Sequence, residues 1–115
     1  MLTKELAGAS ARPLLLSLLG EGESYGYALI QRIHDLSGGT LAWNDGTLYP
    51  ILHRLEDEDL IASTWRVAPE TNRRRKYYRL TLKGERALES ERQQWLCVDA
   101  VLAKLWNLEP RIALG

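Results

Sequence analysis

The chain has 115 residues, enough for one modest hydrophobic core and no more. Hydrophobic residues make up 45% and charged residues 26%, which excludes a disordered chain, and the single cysteine, Cys97, excludes an intrachain disulfide framework or a thiolate zinc cluster. Fifteen basic and fifteen acidic residues cancel, so the chain is not a globally basic nucleic-acid binder.

The first helix is expected to carry Leu14, Leu15, Leu16, Leu18 and Leu19 and to begin near Leu2 or near Ala11. Its apolar run, broken by Ser17, is far shorter than the ~20 residues that span a bilayer. Arg12 and Pro13 precede the run and no small-residue cleavage site follows it. Neither a membrane span nor an export signal is expected, and the default compartment is the cytoplasm. Ser24 is the expected N-cap of a second helix with Tyr25, Leu29, Ile33 and Leu36 on one face, stopped by Ser37-Gly38-Gly39. A third helix follows Asn44 and Asp45. Leu48, Ile51, Leu52 and Leu55 form its buried stripe, and Thr47, Tyr49, His53 and Arg54 its opposite face. Pro50 leaves two starts open: Thr47 as N-cap, or a start at Asp45 that forgoes one hydrogen bond.

Ile61 to Val67 and Arg75 to Thr81 alternate as strands, which predicts a β-hairpin with a seven-residue polar tip from Ala68 to Arg74. Thr81 is expected to cap a long last helix. In that helix Leu88, Trp95 and Leu102 recur at seven residues, with Val98 and Leu105 offset by three. This stripe is too long for so small a core to cover, so Leu88, Trp95, Val98, Leu102 and Leu105 are expected at a homodimer interface. The fold class is therefore mainly α with a small β-hairpin: a winged helix-turn-helix over residues 1–81, and a dimerisation helix and tail over residues 82–115.

Charge is segregated along the chain. Six basic residues (Arg66, Arg73, Arg74, Arg75, Lys76 and Arg79) and one acid, Glu70, lie between Arg66 and Arg79, whereas Glu56 to Asp59 are all acidic. One surface of a neutral protein can thus be strongly positive. The acids at the end of the third helix must point away from a duplex or toward the protein's own cations.

Tyr25-Gly26-Tyr27, Gly46-Thr47-Leu48-Tyr49-Pro50, Arg54-Leu55-Glu56 and Arg74-Arg75-Lys76-Tyr77-Tyr78-Arg79-Leu80-Thr81 with Gly84 follow one another in a fixed order. In this the chain resembles the PadR family from about Leu14 to Gly84. The resemblance implies a homodimeric DNA-binding repressor that leaves its operator when a small molecule binds. It also resembles the compact subgroup, which dimerises through one short C-terminal helix. In drug-sensing members a tryptophan at the place of Trp95 stacks flat ligands between subunits, with Glu91 here one turn before it. Packing of the dimer seam is the other reading of Trp95. The family commonly has Gly where this chain has Asp59, which implies a looser turn before the first wing strand.

The implied partner is double-stranded DNA bearing an inverted repeat. Tyr25, Thr47, Tyr49, Pro50, His53 and Arg54 are the candidate contacts of the helices, and Arg73, Arg74, Arg75 and Lys76 those of the wing. The plain alternatives are a solvated helix face and a solubilising hairpin tip. Tyr77, Tyr78 and Leu80 are expected to pack the sheet; Trp43, Trp65 and Trp106 are expected in the core or an interface, and Cys97 in the seam. His34 and His53 lie on different helices without metal-ligand spacing, and no Gly-rich phosphate loop or nucleophile elbow occurs, so no cofactor, metal or enzymatic activity is expected. A winged helix that docks only protein is the alternative function, supported by the neutral total charge.

Overall fold

A computed structural model describes residues 2–108, so the expected tail at residues 109–115 lies outside the described residues. Helix α1 runs from Lys4 to Gly20, the earlier of the two expected starts, and Thr3 caps it by accepting from the Leu6 amide at 3.2 Å. It buries Ala11, Leu15, Leu16, Leu18 and Leu19 and is the spine of the core.

Strand β1, Ser24–Tyr25, corrects the expected capping role of Ser24. Pairing with β3 (Ser24 opposite Tyr78, Tyr25 opposite Tyr77) holds Ser24 extended, and Tyr25 becomes the N-cap of α2, Gly26–Leu36, without a side-chain cap bond. Helix α2 buries Leu29 and Ile33, whereas Leu36 is exposed, one turn beyond the reach of the core. Gly38 and Gly39 take φ of 61° and 87°, and the Gly39 amide donates to the His34 carbonyl, closing the helix as expected.

Helix α3 spans Asp45–Asp57. Asn44 is its N-cap and accepts from the Thr47 amide at 2.9 Å, so the helix starts at Asp45 and Pro50 costs it one hydrogen bond. Leu48, Leu52 and Leu55 are buried and Ile51 is partly so.

Strands β2 (Ile61–Ala68) and β3 (Arg73–Leu80) pair antiparallel, with Val67 opposite Arg74 and Ala68 opposite Arg73. The tip is therefore four residues, 69–72, and not seven. Asn72 adopts a left-handed φ of 56° and its amide donates to the Ala68 carbonyl at 2.8 Å, which carries the ladder out through Arg73 and Arg74. With β1 added, the sheet has three strands in the order β1-β3-β2. By strand alternation Ser63, Trp65, Val67, Arg74, Lys76 and Tyr78 share one face with the buried Ile61.

Helix α4 spans Leu82–Leu105, capped by Thr81, which accepts from the Gly84 amide at 3.0 Å. Thr81 Oγ1 also donates to the Asp59 carbonyl at 2.6 Å, and the Thr81 amide donates to the Leu60 carbonyl. A Cβ on Gly84 would overlap that same Leu60 carbonyl oxygen, so the start of α4 lies directly on the turn that follows α3. The expected loosening at Asp59 does not occur. Asp59 takes φ 62°, its amide donates to the Glu56 carbonyl and the Leu60 amide to the Leu55 carbonyl, so the turn keeps a glycine-type conformation without glycine. Beyond Ala87, Leu88 and Glu91 the helix leaves the body, and every residue from Arg92 to Asp99 is exposed.

Candidate nucleic-acid interface

The solvent face of α3 is the stripe Thr47, Pro50, His53, Arg54 and Asp57, at spacings of three and four. Tyr49, expected on this face, stands on its flank. Its ring is half-buried against the core, and a Cβ on residue 26 would run into its hydroxyl, so Tyr49 spaces α3 from the start of α2. His53 lies 6.5 Å from Tyr49, centroid to centroid, and stays exposed. The Thr47 hydroxyl donates to Asn44 at 3.2 Å, which fixes its rotamer at the helix start.

The acids sort as electrostatics demands. Glu56 accepts from the Ser63 hydroxyl at 2.6 Å and lies 4.0 Å from Lys76. Glu58 bonds Arg12 of α1 at 2.8 Å, and the same guanidinium bonds Glu91 of α4 at 2.5 Å. The two carboxylates, Glu58 first, raise the Arg12 pKa above its ordinary value. Glu56 and Glu58 thus face the protein's own cations, as expected, and only Asp57 and Asp59 remain exposed at this end of α3.

The wing divides the same way. Arg73 is exposed without an ion pair among the described residues, as is Arg54 on α3. Arg74 is exposed with its guanidinium 5.0 Å from the Trp65 ring centre. Arg75 is occupied. It lies 3.8 Å over the Tyr25 ring, pairs with Glu70 and donates to the Tyr77 hydroxyl, whose bond is the main reason its pKa rises. Arg66 covers Tyr77 at 4.1 Å and pairs with Glu23, and Tyr25 meets Tyr77 edge-on at 5.6 Å. Arg66 and Arg75 face each other in the ladder, and these rings and acids separate the two like charges. Tyr25, a candidate contact in the sequence, is thereby the brace between α2 and the wing. Lys76 is half-buried beside Glu56 and 5.5 Å from the Tyr78 ring.

Between α3, the start of α2 and the wing lies a cleft of about 540 Å³ whose lining includes Tyr49, His53, Trp65, Arg74 and Lys76, with no carboxylate. Trp65, expected in the core or an interface, is 55% exposed on the wing, whereas Trp43 is in the core and Trp106 is exposed as the C-cap of α4. Period-two alternation does not carry this signal, since it sets Trp65 on the face of the buried Ile61 and Tyr78, and only the reach of the hairpin beyond the core leaves the indole exposed. Tyr78 is buried as expected, Leu80 packs on the core, and Tyr77 joins the outer brace. Among the candidate dimer residues Leu88 packs partly on its own core, and Trp95, Val98 and Leu105 are exposed. Cys97, expected in the seam, is exposed on the single chain. No group of His, Cys, Asp and Glu suited to a metal occurs among the described residues, and none of their helices is long and apolar enough to cross a membrane.

A helix pair with an exposed third helix, a flanking basic hairpin and a protruding last helix defines a winged-helix regulator. The model of the "Transcriptional regulator PadR-like family" matches residues 15–90, and the chain belongs to that family. Members are transcriptional regulators, not enzymes. The chain is 37% identical over 90 residues to a transcriptional regulator of Mycobacterium tuberculosis, covering 78% of this chain and 79% of that one. The PadR-like transcriptional regulator of Bacillus cereus superposes with a TM-score of 0.80 at 27% identity, covering 92% of this chain and all of that one. Bacillus subtilis PadR, solved in complex with operator DNA, superposes with a TM-score of 0.60 at 28% identity, covering 74% of this chain and 45% of that one.

Proposed function

We propose that the protein is a homodimeric, sequence-specific DNA-binding repressor acting in the cytoplasm, which releases its operator when a flat effector binds. The observation that carries the DNA reading is the sorting of charge. Arg54 on α3 and Arg73 and Arg74 on the wing are exposed and carry no ion pair among the described residues, Arg74 lining the α3–wing cleft, while Glu56 and Glu58 are turned onto the protein's own cations. The operator complex of Bacillus subtilis PadR supports the same partner. In this reading Thr47, Pro50, His53 and Arg54 meet the major groove, and Arg73 and Arg74 hold phosphates of the flanking backbone.

The exposed stripe of α4 supports the dimer, with Trp95, Val98, Leu102 and Leu105 at its seam. Trp95 is 40% exposed near the middle of that stripe, where two copies of its ring can stack a flat, apolar or cationic molecule. Glu91 is engaged by Arg12, so the indole supplies the attraction for a cationic effector. Helix α4 is tied to the end of α3 at two points, Thr81 and Gly84 on the 59–60 turn and Glu91–Arg12–Glu58 across α1. A tilt of α4 is transmitted through these ties to α3, and a ligand that prefers the tilted state lowers the affinity for DNA by its difference in affinity between the two states.

The test is binding to a labelled duplex of mixed sequence across a salt series. The intact chain should bind with log K falling linearly in log salt. Arg73→Ala and Arg74→Ala should flatten the slope by about 0.9 for each phosphate no longer neutralised. A chain that ignores the duplex at low salt is a protein-docking module instead.

A further inference from the structure

We infer that Trp65 is a DNA-contacting residue, whose indole packs on the deoxyribose of the strand whose phosphates meet Arg74. The inference rests on the duplex-binding reading above. Trp65 is 55% exposed and Val67, two residues on along the same sheet face, is 56% exposed, which makes an exposed apolar step on the outer half of the strand. A solvated wing has no use for an exposed indole, whereas a partner that covers it gains apolar burial. The setting selects the chemistry of that partner. Trp65 lies opposite Lys76 and Val67 opposite Arg74 in the strand register. The Arg74 guanidinium sits against the indole, and the cleft they share with Tyr49 and His53 has no carboxylate in its lining. The occupant is therefore an anion that alternates negative groups with apolar rings at side-chain spacing, which is the sugar–phosphate strand of a duplex. The same cleft runs from the wing to α3, so the DNA-facing surface is continuous with the helix that enters the major groove.

Packing of an indole on a sugar has a signature that phosphate pairing lacks. It releases no counterions, so its contribution is the same at every salt concentration. Trp65→Thr keeps a strand-favouring residue at the position and removes the indole; Trp65→Phe keeps an aromatic ring. On a labelled mixed-sequence duplex Trp65→Thr should bind about tenfold more weakly across the salt series with an unchanged slope, and Trp65→Phe should stay within about threefold of the intact chain. Thermal melting of the free protein should be nearly unchanged, because the indole lies outside the core. Binding by Trp65→Thr within about twofold of the intact chain overturns the inference. So does a flattened slope like that of Arg74→Ala, since Trp65 would then only hold Arg74 in place. An intact chain that fails to bind the duplex removes the DNA reading itself and the role of Trp65 with it.

Discussion

Asp59 occupies a backbone conformation, φ 62°, that costs an L-residue roughly 1–2 kcal/mol relative to the right-handed region. Glycine relieves that cost and adds ~0.5–1 kcal/mol of unfolded-chain entropy. Asp59→Gly is thus expected to stabilise by about 0.5–1 kcal/mol, a rise in melting temperature of roughly 2–6 °C by calorimetry. An unchanged or lower melting temperature would show that the aspartate makes good its strain elsewhere. The sequence revealed the departure at this position, but its consequence runs opposite to the expected one: the Thr81 and Gly84 contacts hold the turn tight and the residue bears the strain. A second residue-scale expectation concerns Tyr78. Its buried phenol is pushed from 10.0 to about 12, first by desolvation and then by Tyr49 and Glu56. A raised acid pKa means that the unfolded chain ionises first, so full stability holds below pH 10 and declines as pH rises toward about 12. Denaturant melts of the intact chain and Tyr78→Phe should therefore diverge above pH 10. Parallel curves would mean that the phenol is solvated.

At the scale of elements the chain is held at its joints. Arg12 joins three helices through Glu58 and Glu91, neither of which has another ion pair among the described residues, and removing Arg12 leaves two like charges facing each other. The Arg12 and Glu58 side chains are 39% and 40% exposed, so solvent screens the pair, and Arg12→Ala is expected to cost only about 1 kcal/mol. The cost should shrink when salt is added to the thermal melt; a destabilisation that salt leaves unchanged would mark Arg12 as a packing residue rather than an ionic one. None of this junction was legible in the sequence, because Arg12, Glu58 and Glu91 come from three separated segments and only the packing of α1 gathers them. What was legible followed from local chemistry: the α3 stripe, the Thr81 cap and the Gly38–Gly39 stop. Where long-range pairing competes, local rules give way. Ser24 carries a good capping side chain, but β3 claims it as a strand. Tyr49 carries a polar tip, but its ring fills the gap that Gly26 leaves. Arg75 reads as one more cation in a run, and only the tertiary position of Tyr25 and Glu70 shows it to be committed.

For the whole molecule, the exposed length of α4 is the feature a single chain leaves unsatisfied. Val98→Glu and Leu105→Glu alter residues that are 52% and 74% exposed, so the monomer's own fold should be unaffected while a dimer separates. Sedimentation should show the intact chain as a dimer at micromolar concentration and the double variant as a monomer; an intact chain that sediments as a monomer would contradict the seam. A two-fold dimer with one exposed α3 per protomer reads two half-sites, with centres about 34–36 Å or a multiple of that apart. The most direct test is footprinting of the intact protein on the DNA immediately upstream of its own gene. An inverted repeat whose half-sites lie an integral number of helical turns apart should be protected, with protection weakening steeply as salt rises. Protection of a lone half-site, or none at low salt, would contradict it.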